Sequence, residues 1–138
     1  MIKAELSKQL MIRLPSKVGS LAHVTSAISS NGINMIALCA YEIGEMVSIM
    51  FVTTDNNGAK QLLEKQGVNV REEEVVILNI DNKPGALQRV TDKLAEAGID
   101  LHLMYGSANA DAQSCSIILI SKNNLDVMMV IKTELERS

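Results

Sequence analysis

An internal repeat at an offset of 66 residues constrains what this chain of 138 residues can fold into. The run Lys17-Val18-Gly19-Ser20-Leu21 returns as Lys83-Pro84-Gly85-Ala86-Leu87. Residues 11–38 and 77–104 share seven identities in 28 aligned pairs, where average residue usage would give roughly two. The repeat therefore predicts two small domains, 1–73 and 74–138, in place of one domain of medium size.

Each repeat predicts the order strand, helix, strand, strand, helix. In the first domain, apolar residues alternate over 10–14 and then recur at helical spacing from Leu21 to Ile28. Gly32 is predicted to end that helix. The rest of the first domain is predicted as strands over 35–41 and 46–53, a helix that ends at Gly67, and a fourth strand over 68–71.

The second domain repeats this pattern. Its predicted elements are a strand over 76–80, a helix with the apolar stripe Leu87, Val90 and Leu94, strands over 101–105 and 115–121, and a last helix with Asn124 as N-cap. A fourth strand is expected to be missing or truncated there. The order β-α-β-β-α-β is typical of the ferredoxin-like fold in the α+β class, with an antiparallel sheet and both helices on one face.

The predicted hairpin strands carry apolar residues on both faces. Ile36 and Leu38 alternate with Met35 and Ala37 in the first domain. Strands of this kind are usually covered on both faces, and domains of this size bury little surface alone. We therefore expect the domains to pack on each other, on a second chain, or both.

Composition excludes several classes of protein. Aromatic residues make up 2% and Trp is absent, which argues against a base-stacking nucleic-acid platform. The net charge of −3 does not favour a phosphate backbone. Two cysteines give no disulfide framework, and no apolar run is long enough to span a bilayer. We expect a cytoplasmic protein without nucleic-acid or membrane partners.

The second turn carries a resemblance to a known family. Asp81-Asn82-Lys83-Pro84-Gly85-Ala86-Leu87, with Ala97-Gly98-Ile99-Asp100 after the helix, resembles the ACT domain, a small regulatory domain of amino-acid metabolism. The first domain resembles it more loosely, and the whole chain resembles stand-alone proteins of two tandem ACT domains. The resemblance implies a non-catalytic homodimer that binds a small amino acid between ACT units and signals to a partner enzyme.

The turn also suits a small amino acid on physical grounds. The first backbone N–H groups of a helix have no intrahelical partner and carry the positive end of the helix dipole, so a carboxylate can bind there. Gly85 leaves room for close approach. The resemblance places the predicted ligand contacts at Asn82, Lys83, Pro84, Gly85, Ala86, Leu87, Ile99 and Asp100, and at the equivalent Ser16, Gly19, Ser20, Ile33 and Asn34.

The first turn departs from the family pattern. Val18 stands where the motif has proline, and Ser16 stands where it has asparagine. The second turn is therefore the stronger candidate. Asn82 also has a purely structural interpretation, because asparagine before a helix is an ordinary turn or cap residue.

Other polar and sulfur-containing residues predict no catalytic, metal or cofactor site. His23 and His102 are expected at the surface, and Cys39 and Cys115 are expected as buried apolar side chains. The acidic run 72–74 between the domains is interpreted as a solvated turn or a charged edge.

Two further functions remain open from the sequence. One is a pure interaction module without its own ligand, which would resemble the regulatory small subunits of acetolactate synthase. The other is a ferredoxin-like enzyme or an RNA-binding protein. This last alternative is disfavoured, because aromatic platforms, basic stripes and acid–base pairs are lacking in the sequence.

Overall fold

The computed structural model describes residues 1–107 and 110–136. The elements in these residues are β1 (Ile2–Pro15), α1 (Ser20–Ser29), β2 (Met35–Ile43), β3 (Met46–Thr53), α2 (Asn56–Lys65), β4 (Arg71–Asp81), α3 (Ala86–Glu96), β5 (Leu101–Ser107), β6 (Ser114–Ser121) and α4 (Asn124–Glu134). The order and the antiparallel pairings confirm the predicted α+β, ferredoxin-like fold class.

The chain forms two compact units with a boundary that differs from the predicted one at the N-terminal residues. One unit is Lys8–Glu73, and the other combines Met1–Ser7 with Glu74–Ser138. The sequence had assigned residues 1–7 to the first domain. Residues 1–7 belong to the other unit because Ile2 and Ala4 lie in its core, as described below.

In the unit Lys8–Glu73, strand β3 pairs antiparallel with both β1 and β2, so Phe51 lies opposite Leu10 and Leu38. Its core is built by residues from β1, β3, the two helices and the connection before β4: Leu10, Ile12, Val24, Ile28, Ile49, Phe51, Ala59, Leu63 and Val70. Leu21 was predicted to join the apolar stripe of α1, but this side chain is exposed. Only Val24 and Ile28 of α1 are buried.

In the other unit, β6 pairs antiparallel with β4 and β5. Its core contains Ile2, Ala4, Val76, Leu78, Ile80, Ala86, Val90, Leu94, Leu119, Val127, Ile131 and Leu135. Leu87 was predicted in this core and is exposed, whereas its neighbour Ala86 is buried. A Cβ on Gly106 would lie 2.6 Å from Cδ1 of Ile117, so this glycine makes room for a side chain that packs on the core.

The first residues of β1 complete that unit. Ile2 and Ala4 are buried in its core, and the Ala4 N–H donates to the Glu136 carboxylate at 2.8 Å. This hydrogen bond is the main cause that lowers the pKa of Glu136 below its usual value. The unit whose last strand was expected to be missing is thus supplied with strand residues from the start of the chain.

The acidic run 72–74 is not a turn. It lies inside β4, which replaces the two predicted strands over 68–71 and 76–80. The Glu72 carboxylate lies 3.5 Å from the ammonium groups of both Lys8 and Lys60. Two lysine partners offset the repulsion that neighbouring carboxylates would otherwise bring into an extended strand.

Asn124 was predicted as the N-cap of the last helix, and this prediction is wrong. That position is held by Asn123, whose side-chain oxygen accepts from the N–H groups of Leu125 at 3.1 Å and Asp126 at 3.4 Å. Asn124 is buried instead. Its Oδ1 accepts from the Ser121 N–H at 2.9 Å, and its Nδ2 donates to the Glu74 carbonyl at 3.1 Å.

The other unit contains the same arrangement. Oδ1 of Asn56 accepts from the Thr53 N–H at 3.0 Å, and Nδ2 donates to the Lys8 carbonyl at 2.9 Å. Lys8 and Glu74 are separated by the offset of the repeat. The half-buried Asn56 therefore attaches the start of α2 to β1, and the buried Asn124 attaches the start of α4 to β4.

We expect Asn124→Ala to lower the free energy of unfolding by about 2 kcal/mol, because it leaves the Glu74 carbonyl and the Ser121 N–H without this partner. Urea denaturation followed by circular dichroism measures the change. Asn57→Ala is the matched control, since Asn57 is exposed in the first turn of α2, and it should change the free energy by less than about 0.5 kcal/mol. Equal stability of the two variants would contradict a structural role for Asn124.

Candidate ligand-binding site

The turn between β4 and α3 has the backbone of an open helix start. Gly85 precedes the helix with φ 86° and ψ −12°, and no side chain caps the helix there. A Cβ on Gly85 would meet nothing within 4 Å, so glycine is needed for the left-handed φ and not for space. The uncapped N–H groups of the first turn can bind an anionic group.

A pocket of about 250 Å³ lies against this turn. It is lined by Met1, Ile2, Asp81, Lys83, Pro84, Gly85, Ala86 and Arg89. Four of these, Lys83, Pro84, Gly85 and Ala86, were predicted from the sequence as ligand contacts. The exposed Leu87 follows them directly along the chain but does not line the pocket.

The pocket presents both signs of charge. The Asp81 carboxylate accepts a hydrogen bond from the Met1 ammonium at 2.6 Å and lies 3.8 Å from Nζ of Lys83. The ammonium hydrogen bond is the largest cause that lowers the pKa of Asp81, and the charge of Lys83 adds to it. With Arg89 and the helix N-terminus also present, the walls offer several donors to a carboxylate, and Asp81 is the one acidic residue of this lining.

Asn82 forms hydrogen bonds with residues outside this pocket. Its Nδ2 donates to the Ala112 carbonyl at 3.0 Å, and its backbone N–H donates to the Gln113 carbonyl at 2.9 Å. These bonds attach the turn to the connection between β5 and β6. Asn82 thus holds the turn in place, as the structural interpretation of this residue predicted, and a direct role in ligand binding stays a prediction.

Ile99 and Asp100 lie at the opposite end of α3. They line another pocket, of about 220 Å³, together with Ala97, Gly98, Lys122, Asn123 and Asp126. Because α3 has 11 residues, its ends are about 16 Å apart. The unit therefore does not bring Ile99 and Asp100 to the turn around Gly85.

The turn before α1 has the same backbone conformation as the turn before α3, but its serine hydroxyls are already hydrogen-bonded. Gly19 has φ 89° and ψ −4°, close to the values of Gly85, and α1 also has no side-chain cap. The Ser16 hydroxyl, however, donates to the Glu42 carboxylate, and the Ser20 hydroxyl donates to the Pro15 carbonyl at 2.9 Å. These two hydroxyls are engaged within their own unit.

Ile33 and Asn34 follow the far end of α1, as Ile99 and Asp100 follow α3. The Asn34 N–H donates to the Thr54 hydroxyl at 3.1 Å, and its carbonyl accepts from the Thr54 N–H at 2.9 Å. The structure thus separates the predicted contacts of the first unit into the same two groups as in the second.

Sequence reasoning missed Asp81 and Arg89 as pocket residues. Asp81 was visible in the quoted motif, as the residue directly before Asn82. Arg89 lies three residues after Ala86, a spacing that places both on one face of a helix. A search for charged residues within one turn of the glycine would have found it.

Outside the turns, the predicted exposure of the histidines is confirmed, whereas the cysteines are less buried than predicted. His23 and His102 are exposed, as predicted, and the two cysteines are half-buried free thiols. Within residues 1–107 and 110–136, no group of three potential ligands is placed to hold a metal ion. No helix in the described part of the chain is long and apolar enough to cross a membrane.

Comparison with family models gives a match over part of the chain. Residues 8–70 match the family model of the ACT domain, which confirms the resemblance for the first repeat. Comparison with curated proteins gives no significant match.

Solved structures extend the likeness over the whole chain. A protein from Bacteroides thetaiotaomicron is 29% identical with a TM-score of 0.87, over 95% of this chain and 90% of that one. The regulatory subunit of aspartate kinase from Thermus thermophilus is 15% identical with a TM-score of 0.68, over 96% and 97%. Its counterpart from Thermus flavus is 14% identical with a TM-score of 0.61, over 98% and 97%. The two kinase subunits show a shared fold.

We expect Gly85→Ala to lower the free energy of unfolding by about 1–2 kcal/mol, because alanine is strained at a φ of 86°. Gly85→Asn is the comparison variant and should lose less, since asparagine adopts left-handed backbone more readily. Urea denaturation of both proteins provides the measurement. An alanine variant as stable as the wild type would show that the turn does not need this conformation.

Proposed function

We propose that this protein is a non-catalytic regulatory protein of two tandem ACT units that binds a small free amino acid at the turn before α3. The observation that carries the proposal is the pocket in which an uncapped helix start, the Asp81 carboxylate and the Arg89 guanidinium meet. The family match to residues 8–70 supports it, and the repeat extends it to the second unit.

The binding mode follows from the charges. The α-carboxylate lies at the N–H groups of the first turn of α3, where the helix dipole and Arg89 stabilise it. The α-ammonium lies at Asp81, a carboxylate that already accepts an ammonium group from Met1. Ile2 and Pro84 provide apolar walls, so a short uncharged side chain fits this pocket of about 250 Å³.

We propose that the protein regulates a partner enzyme of amino-acid metabolism. The regulatory subunits of aspartate kinase from Thermus species share this fold over nearly the whole chain. Ligand binding shifts a partner only if the ligand binds one state of the complex more tightly than the other. The test is co-purification of an identified biosynthetic enzyme from the source organism, with activity measured in the presence and absence of the amino acid.

A thermal-shift screen against the twenty amino acids tests ligand binding. We expect one amino acid, or a few small ones, to raise the melting temperature, since a ligand at 100 times its Kd stabilises the folded state by about 2.7 kcal/mol. Asp81→Asn and Arg89→Gln should abolish the shift. Glu96→Gln, at the other end of α3, is the control that should keep it. A folded protein that responds to no amino acid would refute ligand sensing.

A second candidate is the interaction module without its own ligand, for which the apolar edge of the unit Lys8–Glu73 offers a surface. Strand β2 is an edge strand of nine residues with a single charged side chain, Glu42. Leu38 and Ile43 on it are exposed. A long, apolar edge of this kind is a site for pairing with another strand. We propose that β2 of a second copy pairs with it to form a homodimer, which is compatible with either function.

Light scattering after size exclusion tests the dimer. We expect the wild type to be dimeric and the double variant Leu38→Lys, Ile43→Lys to be monomeric, because charges on an edge strand oppose pairing. Leu125→Lys with Met129→Lys is the control, since these α4 side chains are 63% and 66% exposed but lie outside β2. A monomeric wild type, or a dimer that survives the β2 change, would contradict this interface.

A further inference from the structure

A basic pocket lies in the unit Lys8–Glu73, away from both glycine turns. It has a volume of about 240 Å³ and is lined by Met11, Ile12, Arg13, Asn69 and Arg71. Every lining residue is apolar, neutral and polar, or basic. In a chain with a net charge of −3, this pocket has two arginines and no acidic residue in its lining.

The two guanidinium groups are available to a ligand. Arg13 and Arg71 are exposed, and neither forms an ion pair within residues 1–107 and 110–136. Each guanidinium carries five N–H donors in a planar fork that matches the oxygens of a carboxylate or a phosphate. Two like charges beside one pocket repel each other, and a bound anion removes that repulsion.

Strand geometry orients Arg13. Successive strand residues point to opposite faces, and Ile12 belongs to the core of this unit. Arg13 therefore points away from the core, and Arg71, the first residue of β4, is exposed and lines the same pocket. Met11 lies on the same face as Arg13 and is half-buried, so it provides an apolar wall beside the charges.

The basic pocket is a property of one unit and not of the repeated fold. At the offset of the repeat, Arg13 corresponds to Asn79. The Asn79 side-chain oxygen accepts a hydrogen bond from the Ser116 hydroxyl at 2.8 Å. The equivalent position in the other unit thus carries no charge and is engaged with its neighbouring strand.

We propose that Arg13, Asn69 and Arg71 form an anion-binding site for a small organic molecule that carries a phosphate or carboxylate group. The two arginines bind the oxygens of this group, the Asn69 amide donates a further hydrogen bond, and the apolar part of the molecule packs on Met11. The site shares no residue with the pocket at the turn before α3, so it does not depend on the proposed amino-acid site.

Isothermal titration calorimetry of the full chain tests the site, with inorganic phosphate and succinate as separate probes. We expect at least one probe to bind, and Arg13→Gln and Arg71→Gln each to weaken it about tenfold or more. Arg71→Lys should lose less than Arg71→Gln, because it keeps the charge but not the fork. Lys65→Gln, in the last turn of α2, is the control that should bind as the wild type does.

The results of the two titrations either identify the chemical group that binds or overturn the proposal. Binding of phosphate alone assigns a phosphate group, and binding of succinate alone assigns a carboxylate. Saturable binding of neither probe, or unchanged binding by folded Arg13→Gln and Arg71→Gln, overturns the proposal. If a glutamine variant does not fold, the Nε–Hε signals of Arg13 and Arg71 in the wild type decide, since only a ligand in this pocket shifts both.

Discussion

The packing of Ile2 and Ala4 into the core formed by residues 74–136 is the contact on which one whole unit depends. Burial of a side chain such as isoleucine contributes about 1.5–3 kcal/mol, a large share of the net stability of so small a unit. The hydrogen bond from Ala4 to Glu136 joins residues 132 positions apart. The same segment also places Ile2 on the wall of the α3 pocket, so the core and the proposed ligand site are completed by one stretch of chain.

The four helices within residues 1–107 and 110–136 begin in two different ways, with a side-chain cap or with a left-handed glycine. Asp55 and Asn123 cap α2 and α4 with their side chains, which satisfies the first N–H groups from within the chain. Gly19 and Gly85 precede α1 and α3 without any side-chain cap. A glycine in the left-handed region turns the chain but provides no side-chain acceptor, so first-turn N–H groups at these two helix starts have no side-chain cap to compete with a ligand.

The parts of the fold that could be predicted are those encoded by neighbours in the sequence. The repeat, the hairpins and the turn around Gly85 depend on local periodicity and on glycine. The burial of Asn124 and the strand conformation of Glu72 depend on partners far away in the chain, Glu74 with Ser121 and Lys8 with Lys60. The start of β1 had a local signal that was overlooked, the alternation of apolar and charged residues over 2–6.

Divergence between the two repeats follows the physical demands on each position. Gly19 and Gly85 are retained because both have positive φ, and a substitution there would strain the backbone. Positions without such a demand can differ between the repeats, as the exposed Arg13 and the half-buried Asn79 do. A duplicated backbone can therefore present two chemically different pockets, one that complements a zwitterion and one that complements an anion. Two such pockets in one small chain would let a regulatory protein respond to two metabolites through independent binding events, because no residue is common to both.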